Sequence, residues 1–307
     1  MSKRCLISVE GGLGKNVMFT SLMPIISKKY DEIYVISPYT DVFKCCSYVT
    51  ATFEPGPQCA TLYQELALSD DCDILWKEPY SHSDFIKKKV HLFEAWLKEM
   101  GLWEEGIDVN SLLPCIDKID EKLPEIVKAV ERKAEELGEF IMVQFCGGQS
   151  PLTPQVDAAG NTIPYNDHQE FIKRNYYEGQ LLINKLRETY PEATIVHYAL
   201  PNEPSYDGAE KISMPYIAYR LLAQKAARIV CTDSSLQHMS TGACKDVTVI
   251  WGETRPEHFG YKCNKNICAR HVFNSQPYFK PMGISPSIVK MPSPDEVMEI
   301  VTRDVGE

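Results

Sequence analysis

The sequence predicts an α/β protein of two Rossmann-like domains facing a cleft. Short apolar runs alternate with amphipathic stretches along nearly the whole chain, and glycine-rich turns follow several of those runs. At 307 residues the chain also has the length of about two domains. Short strands alternating with helices call for parallel sheets with right-handed crossovers. In such sheets ligands gather at the carboxyl ends of the strands, so candidate functional residues are sought directly after each strand.

The first half opens on Cys5–Val9, a strand that runs into Glu10-Gly11-Gly12-Leu13-Gly14-Lys15-Asn16 and then a helix over Val17–Tyr30. Ile33–Ser37 is the next strand, a turn follows at Pro38, and Asp73–Trp76 is a further strand. Phe85–Met100 reads as one helix, with Phe85, Ile86, Val90, Phe93, Trp96, Leu97 and Met100 on one side. Ser83 or Asp84 caps its start and Gly101 ends it. Leu123, Ile126, Val127, Val130, Ala134 and Leu137 repeat at threes and fours, with Glu and Lys on the other face and Gly138 closing the helix. The domain junction is placed on this charged helix, giving 1–130 and 131–307.

The rhythm then restarts. Phe140–Cys146 is a strand entering Gly147-Gly148, and Ser150–Asn166, with three prolines, is a loop over or beside the cleft. Tyr176–Tyr190 is a helix, Thr194–Tyr198 a strand, Ile217–Arg228 a helix and Ile229–Thr232 a strand. Leu236–Ala243 is a helix and Val247–Trp251 a strand. No internal repeat or low-complexity tract is evident.

Composition narrows the function. A net charge of −10 disfavours a broad grip on nucleic acid, which needs clustered Lys and Arg. The one basic run, Lys87-Lys88-Lys89, reads as a solvated helix face. The eleven cysteines form no Cys-x-x-Cys pair, and Cys5, Cys146 and Cys231 lie in apolar strands, the pattern of reduced, buried thiols. Cys263, Cys268 and His271 lack the four closely spaced ligands of structural zinc, so no metal is expected. The apolar run after Lys3-Arg4 is too short for a signal peptide, and no run approaches the roughly 20 residues of a membrane span. A soluble, cytoplasmic protein is expected.

Three constellations carry chemistry. In Glu10–Asn16 the glycines let a ligand approach the backbone, and the next helix offers free N–H groups, with Lys15 adding a charge. The Walker and Rossmann glycine spacings are both absent, and a tight turn needing glycine for geometry is the competing reading. The second is Thr232-Asp233-Ser234-Ser235-Leu236-Gln237-His238, directly after a strand and opening a helix. Asp233 is placed at the strand end and His238 on the first turn; helix capping with a buried histidine is the alternative. In Trp251-Gly252-Glu253-Thr254-Arg255-Pro256, after the next strand, Thr254 and Arg255 suit a phosphate, the arginine as a bidentate donor.

The stretch Arg228–Asn266 resembles the donor-site signature of glycosyltransferase family 9, the lipopolysaccharide heptosyltransferases. Asp233, Ser234, His238, Gly242, Ala243, Gly252, Thr254, Pro256 and Gly260 match in order. The N-terminal glycine turn, the helix with Pro24 and the strand–helix order agree as well. The resemblance implies a GT-B fold with the acceptor on the N-terminal half. It also implies a nucleotide-sugar co-substrate lying against Asp233–His238 and Gln144–Gly148, with Glu203, in Pro201-Asn202-Glu203, on the ribose. It implies catalysis without a metal or other cofactor, helix termini and basic groups stabilising the departing diphosphate.

Two departures stand out. Where the family carries Gly-Asp, with the Asp as base, this chain has Gly14-Lys15, and a protonated lysine is a poor base. Glu10 is the substitute, with Asp84 and His82 behind it, although Glu10 as a partner for Lys15 is the competing role. Ser235 also replaces a family glycine. The expected activity is inverting transfer of a sugar to an acceptor hydroxyl of unknown type, with Glu10 as base and Lys15 stabilising charge. Gly12, Gly14, Asn16, Gln144, Gly147, Gly148, Asn202, Glu203, Asp233, Ser234, Ser235, Gln237, His238, Thr254 and Arg255 bind substrates in this reading. Rival readings are a modified DNA base as acceptor, a non-catalytic nucleotide-sugar-binding protein, and a GT-B-like nucleotide-sugar epimerase.

Overall fold

The structure, a computed structural model, describes residues 3–147, 175–199, 203–273 and 288–303. The chain divides into two compact units, Met1–Lys128 and Ala129–Glu307, each with its own parallel sheet.

In the first unit, β1 (Arg4–Ser8), β2 (Glu32–Ile36), β3 (Ala51–Phe53) and β4 (Cys72–Trp76) lie in the order β3-β2-β1-β4, all parallel. The central β1 is apolar without alternation, Cys5, Leu6 and Ile7 all being buried, as a parallel strand covered on both faces requires. The helices are α1 (Leu13–Thr20), α2 (Met23–Ile26), α3 (Thr40–Lys44), α4 (Pro57–Ala67), α5 (Ser83–Ile86), α6 (Leu92–Glu99), α7 (Ile119–Lys122) and the start of α8 (Pro124–Leu137). Phe19 of α1 meets Trp96 of α6 edge-on, centroids 5.2 Å apart, and Phe43 of α3 at 6.3 Å, which ties three helices together.

Two expected helices are broken. Val17–Tyr30 divides into α1 and α2 because Pro24, in the first turn of α2, has no N–H to continue the ladder. Phe85–Met100 divides into α5 and α6. Lys88 takes φ 56°, and the His91 side chain accepts the Phe93 N–H at 3.1 Å, making it the cap of a new helix. Lys87-Lys88-Lys89 is therefore a connection between helices rather than a helix face. α8 ends on Gly138 in the left-handed conformation (φ 66°), as its glycine signal predicts.

The second unit holds β5 (Phe140–Gln144), β6 (Thr194–Tyr198), β7 (Glu210–Ile212), β8 (Arg228–Thr232), β9 (Val247–Trp251) and β10 (Lys265–Cys268) in the parallel order β7-β6-β5-β8-β9-β10. This is the doubly wound dinucleotide-fold order, whose switch point lies between β5 and β8. Around it lie α9 (Gly179–Thr189), α10 (Ala218–Lys225), α11 (Ser235–Ser240), α12 (Pro256–Phe259) and α13 (Pro294–Val301). β11 (Arg270–Phe273) and β12 (Ile288–Lys290) form a separate antiparallel pair.

α11 stops short of the expected Ala243. The hydroxyls of Ser240 and Thr241 turn back to the carbonyls of Leu236 and Gln237, and Arg220 donates to the carbonyls of Met239 and Thr241 at 2.9 and 2.7 Å. The two arginine bonds satisfy carbonyls that a longer helix would have used. The eleven cysteines are free, and burial pushes the thiols of Cys5 and Cys146 up to about 12. No helix among the described residues is long and apolar enough to cross a membrane.

Candidate functional site

The glycine turn after β1 is held from inside. Gly11 takes φ 97°, a conformation that favours glycine, and Gly12 is the cap residue of α1, into whose first turn Gly14 falls. Asn16 is fully buried, donates to the carbonyls of Gly11 and Gly12 at 3.3 and 3.0 Å, and accepts from Ser37 at 2.7 Å. Its amide thus shapes the turn. Lys15 donates to Glu78 at 2.7 Å and lies 5.1 Å from the Tyr80 ring centre. Lys15 therefore pairs with Glu78, not with Glu10. Glu10 is exposed and lines a cavity over the same strand ends.

The second constellation assembles at the switch point. Asp233 is 2% exposed; its carboxylate accepts from Thr254 Oγ1 at 2.7 Å and from Gln237 Nε2 at 3.3 Å, which links the loops after β8 and β9. Gln144, the last residue of β5, accepts the Leu236 N–H at 3.2 Å and so bridges the switch point to the start of α11. His238 is buried, its Nδ1 3.2 Å from the Tyr261 hydroxyl. The Ser234 hydroxyl is buried at the mouth of α11 without a hydrogen-bond partner among the described residues, the Cys231 thiol beside it being at most a weak one. Ser235 opens α11 half-exposed.

Gly147, three residues beyond the end of β5, is buried and donates to Asn175 Oδ1 at 3.0 Å. Glu203 is 5% exposed and lies close enough to Cys146 to help raise that thiol, burial being the larger cause. Its carbonyl accepts from Lys211 at 2.6 Å. Arg255 lies beside Cys268 at the end of β10. Gly148, Asn202 and the Ser150–Asn166 loop lie outside the described residues.

Asp71-Cys72-Asp73 is an Asp-x-Asp triplet, the pattern that metal-dependent glycosyltransferases use. It stands at the amino end of β4, opposite the glycine turn, and both carboxylates are engaged. Asp71 accepts from Arg4 at 2.6 Å, and Asp73 accepts from Tyr30 at 2.6 Å with Lys3 at 3.5 Å. No group of three or more metal-binding side chains occurs among the described residues.

No protein-family profile and no curated protein sequence matches the chain. Solved structures do match. The ADP-heptose lipopolysaccharide heptosyltransferase II of E. coli superposes with a TM-score of 0.59 at 13% identity, covering 97% of both chains. A family 9 glycosyl transferase from Veillonella parvula gives 0.58 at 9% identity, over 87% of this chain and 85% of that one. This chain has the family 9 glycosyltransferase fold. The E. coli heptosyltransferase WaaC, solved with ADP, gives 0.53 at 12% identity over 87% and 93% of the two chains. At these identities the family 9 likeness is one of fold.

Tyr261 and Asn264 were missed by sequence reasoning. Tyr261 reaches His238, and Asn264 donates to Thr241 at 2.9 Å, so the segment after Gly260 buttresses α11. The one available signal was that Tyr261 directly follows the matched Gly260.

Proposed function

We propose that this protein is a glycosyltransferase that moves a sugar from a nucleotide-sugar bound by the second unit to a hydroxyl acceptor bound by the first. The observation that carries the reading is the Asp233 cluster. A buried carboxylate held from two sides, a buried Ser234 hydroxyl in need of a strong partner, and His238 converge at the switch point of a nucleotide-type sheet. Glu203, buried near Cys146, accepts hydrogen bonds from the ribose. WaaC was solved with ADP, which makes ADP-sugars the first donors to try.

In the reaction the acceptor oxygen attacks the anomeric carbon as the bond from that carbon to the diphosphate oxygen breaks. A single displacement of this kind inverts the configuration. The acceptor proton passes to Glu10, and the nucleoside diphosphate leaves against the Ser234, His238 and Arg255 side chains, without a metal, while Thr254 spends its hydroxyl proton on holding Asp233. Lys15, compensated by Glu78, pins the glycine turn that presents Glu10.

Two substitutions separate the roles. Asp233→Asn should weaken ADP binding by about ten-fold or more, the scale of one hydrogen bond to a charged group. Glu10→Gln should leave ADP affinity unchanged and slow transfer by at least roughly 100-fold. Parental turnover in both variants would remove the basis of the assignment. ADP-sugar binding without transfer to any acceptor would favour the non-catalytic binding protein.

A further inference from the structure

The carboxyl ends of the first sheet border a cavity of about 520 Å³. One wall is a single sheet face: Leu6 and Ser8 of β1, with their register neighbours Ile74 and Trp76 of β4. The opposite wall is α4, from Cys59 to Gln64, and Glu10 stands at the edge. The volume falls within the roughly 300–1,000 Å³ of small-molecule sites.

The lining restricts the guest in two ways. Glu10 is its one charged lining residue among the described residues, and the nearby Lys15, against Gly11, is taken up by Glu78, so a phosphate or carboxylate guest would meet repulsion with little to compensate its lost hydration. The lining therefore suits a neutral guest. Tyr63 and Trp76, both on the cavity, leave 40% and 59% of their surfaces exposed. An aromatic ring gains against these two beyond the area it covers, and a rigid ring loses less freedom on entry than an alkyl chain.

We propose that this cavity binds a neutral aromatic alcohol or phenol with its hydroxyl toward Glu10, and that this compound is the acceptor. The word acceptor rests on the glycosyltransferase reading; the preference for a neutral aromatic guest rests on the cavity alone.

The test is calorimetric titration of the full chain with 2-naphthol, 2-naphthoate and 1-decanol. The expected result is saturable one-to-one binding of 2-naphthol, at least about ten-fold tighter than either comparison compound. Ala60→Phe, which fills the cavity from α4, should weaken 2-naphthol by about ten-fold or more with an unchanged circular dichroism spectrum. If that variant does not fold, Trp76→Ala at the exposed rim should give a loss of about five-fold. These expectations correspond to the loss of an aromatic contact and its covered area. No saturable binding, full affinity in these variants, or equal binding of 2-naphthoate or 1-decanol would overturn the proposal. Naphthol binding that Ala60→Phe removes, with no sugar transferred from any donor, would count against the transferase reading and leave the cavity's guest assigned. Sugar transfer to some other acceptor, unaffected by 2-naphthol, would count against the cavity's role and leave the transferase standing.

Discussion

His197 shows how a titratable residue can belong to the core. It has no exposed surface, lies among Phe145 and Tyr206 with ring centres 6.5 and 4.9 Å away, and neither ring nitrogen has a hydrogen-bond partner among the described residues. Burial, assisted by Lys211, lowers its pKa from the ordinary 6.5 to about 4. The folded state thus refuses a proton that the unfolded chain accepts between these values. The stability tied to neutral His197 is complete above pH 6.5 and drains away as the pH falls toward 4. A shift of that size corresponds to about 3 kcal/mol. His197→Phe should therefore flatten the loss of stability between pH 6.5 and 4 relative to the parent, measured by urea unfolding. Parallel pH profiles for the two proteins would show that the histidine is protonated or solvated in the folded state.

Among the elements, the loop between β9 and β10 depends on a glycine for close approach rather than for an unusual φ. A Cβ at Gly260 would lie 2.6 Å from the Pro256 Cα and 2.9 Å from its carbonyl oxygen, and backbone of this kind cannot swing aside. Gly260→Ala should destabilise the protein by about 1–3 kcal/mol, the usual scale of overpacking. Because Tyr261 follows and holds His238, ADP affinity should fall as well. Unchanged denaturant midpoint and ADP affinity would mean that the loop relaxes freely. At this scale long periodic segments were legible, such as α8 with its terminal Gly138. The three-residue β3 and the helix α4 were not, since three half-buried residues carry no period and α4 shows one poor apolar stripe. α4 nonetheless walls the candidate acceptor cavity.

For the whole molecule, with the donor on the second unit and the acceptor on the first, ligands should stabilise the two units by separate routes. ADP at about 100 times its dissociation constant should add roughly 2.7 kcal/mol to the unit that holds Asp233. This is visible as a rise in melting temperature that a ten-fold weaker Asp233→Asn, at the same ADP concentration, cuts to about half. A chelator should change neither that rise nor turnover, because the only ligands invoked are protein groups. Loss of turnover on chelation, restored by magnesium or manganese, would require a metal site that the proposal does not contain.

The sequence alone determined the two-unit α/β architecture, because alternating apolar runs and amphipathic helices admit few other arrangements, and the solved family 9 structures share that fold. It also pointed to Asp233, Thr254 and His238, since a strand end followed by a polar helix start is a local pattern. Tertiary structure decided what local pattern cannot encode. That Lys15 pairs with Glu78, 63 positions away, that Gln144 reaches the backbone of Leu236, and that Tyr261 meets His238 all follow from strand order and crossover. The same holds for the Asp-x-Asp triplet, whose two carboxylates are taken up by Arg4, Tyr30 and Lys3 at the far end of the sheet. Side-chain partners separated by a crossover depend on register and strand order, and neither is written in any single segment of the chain.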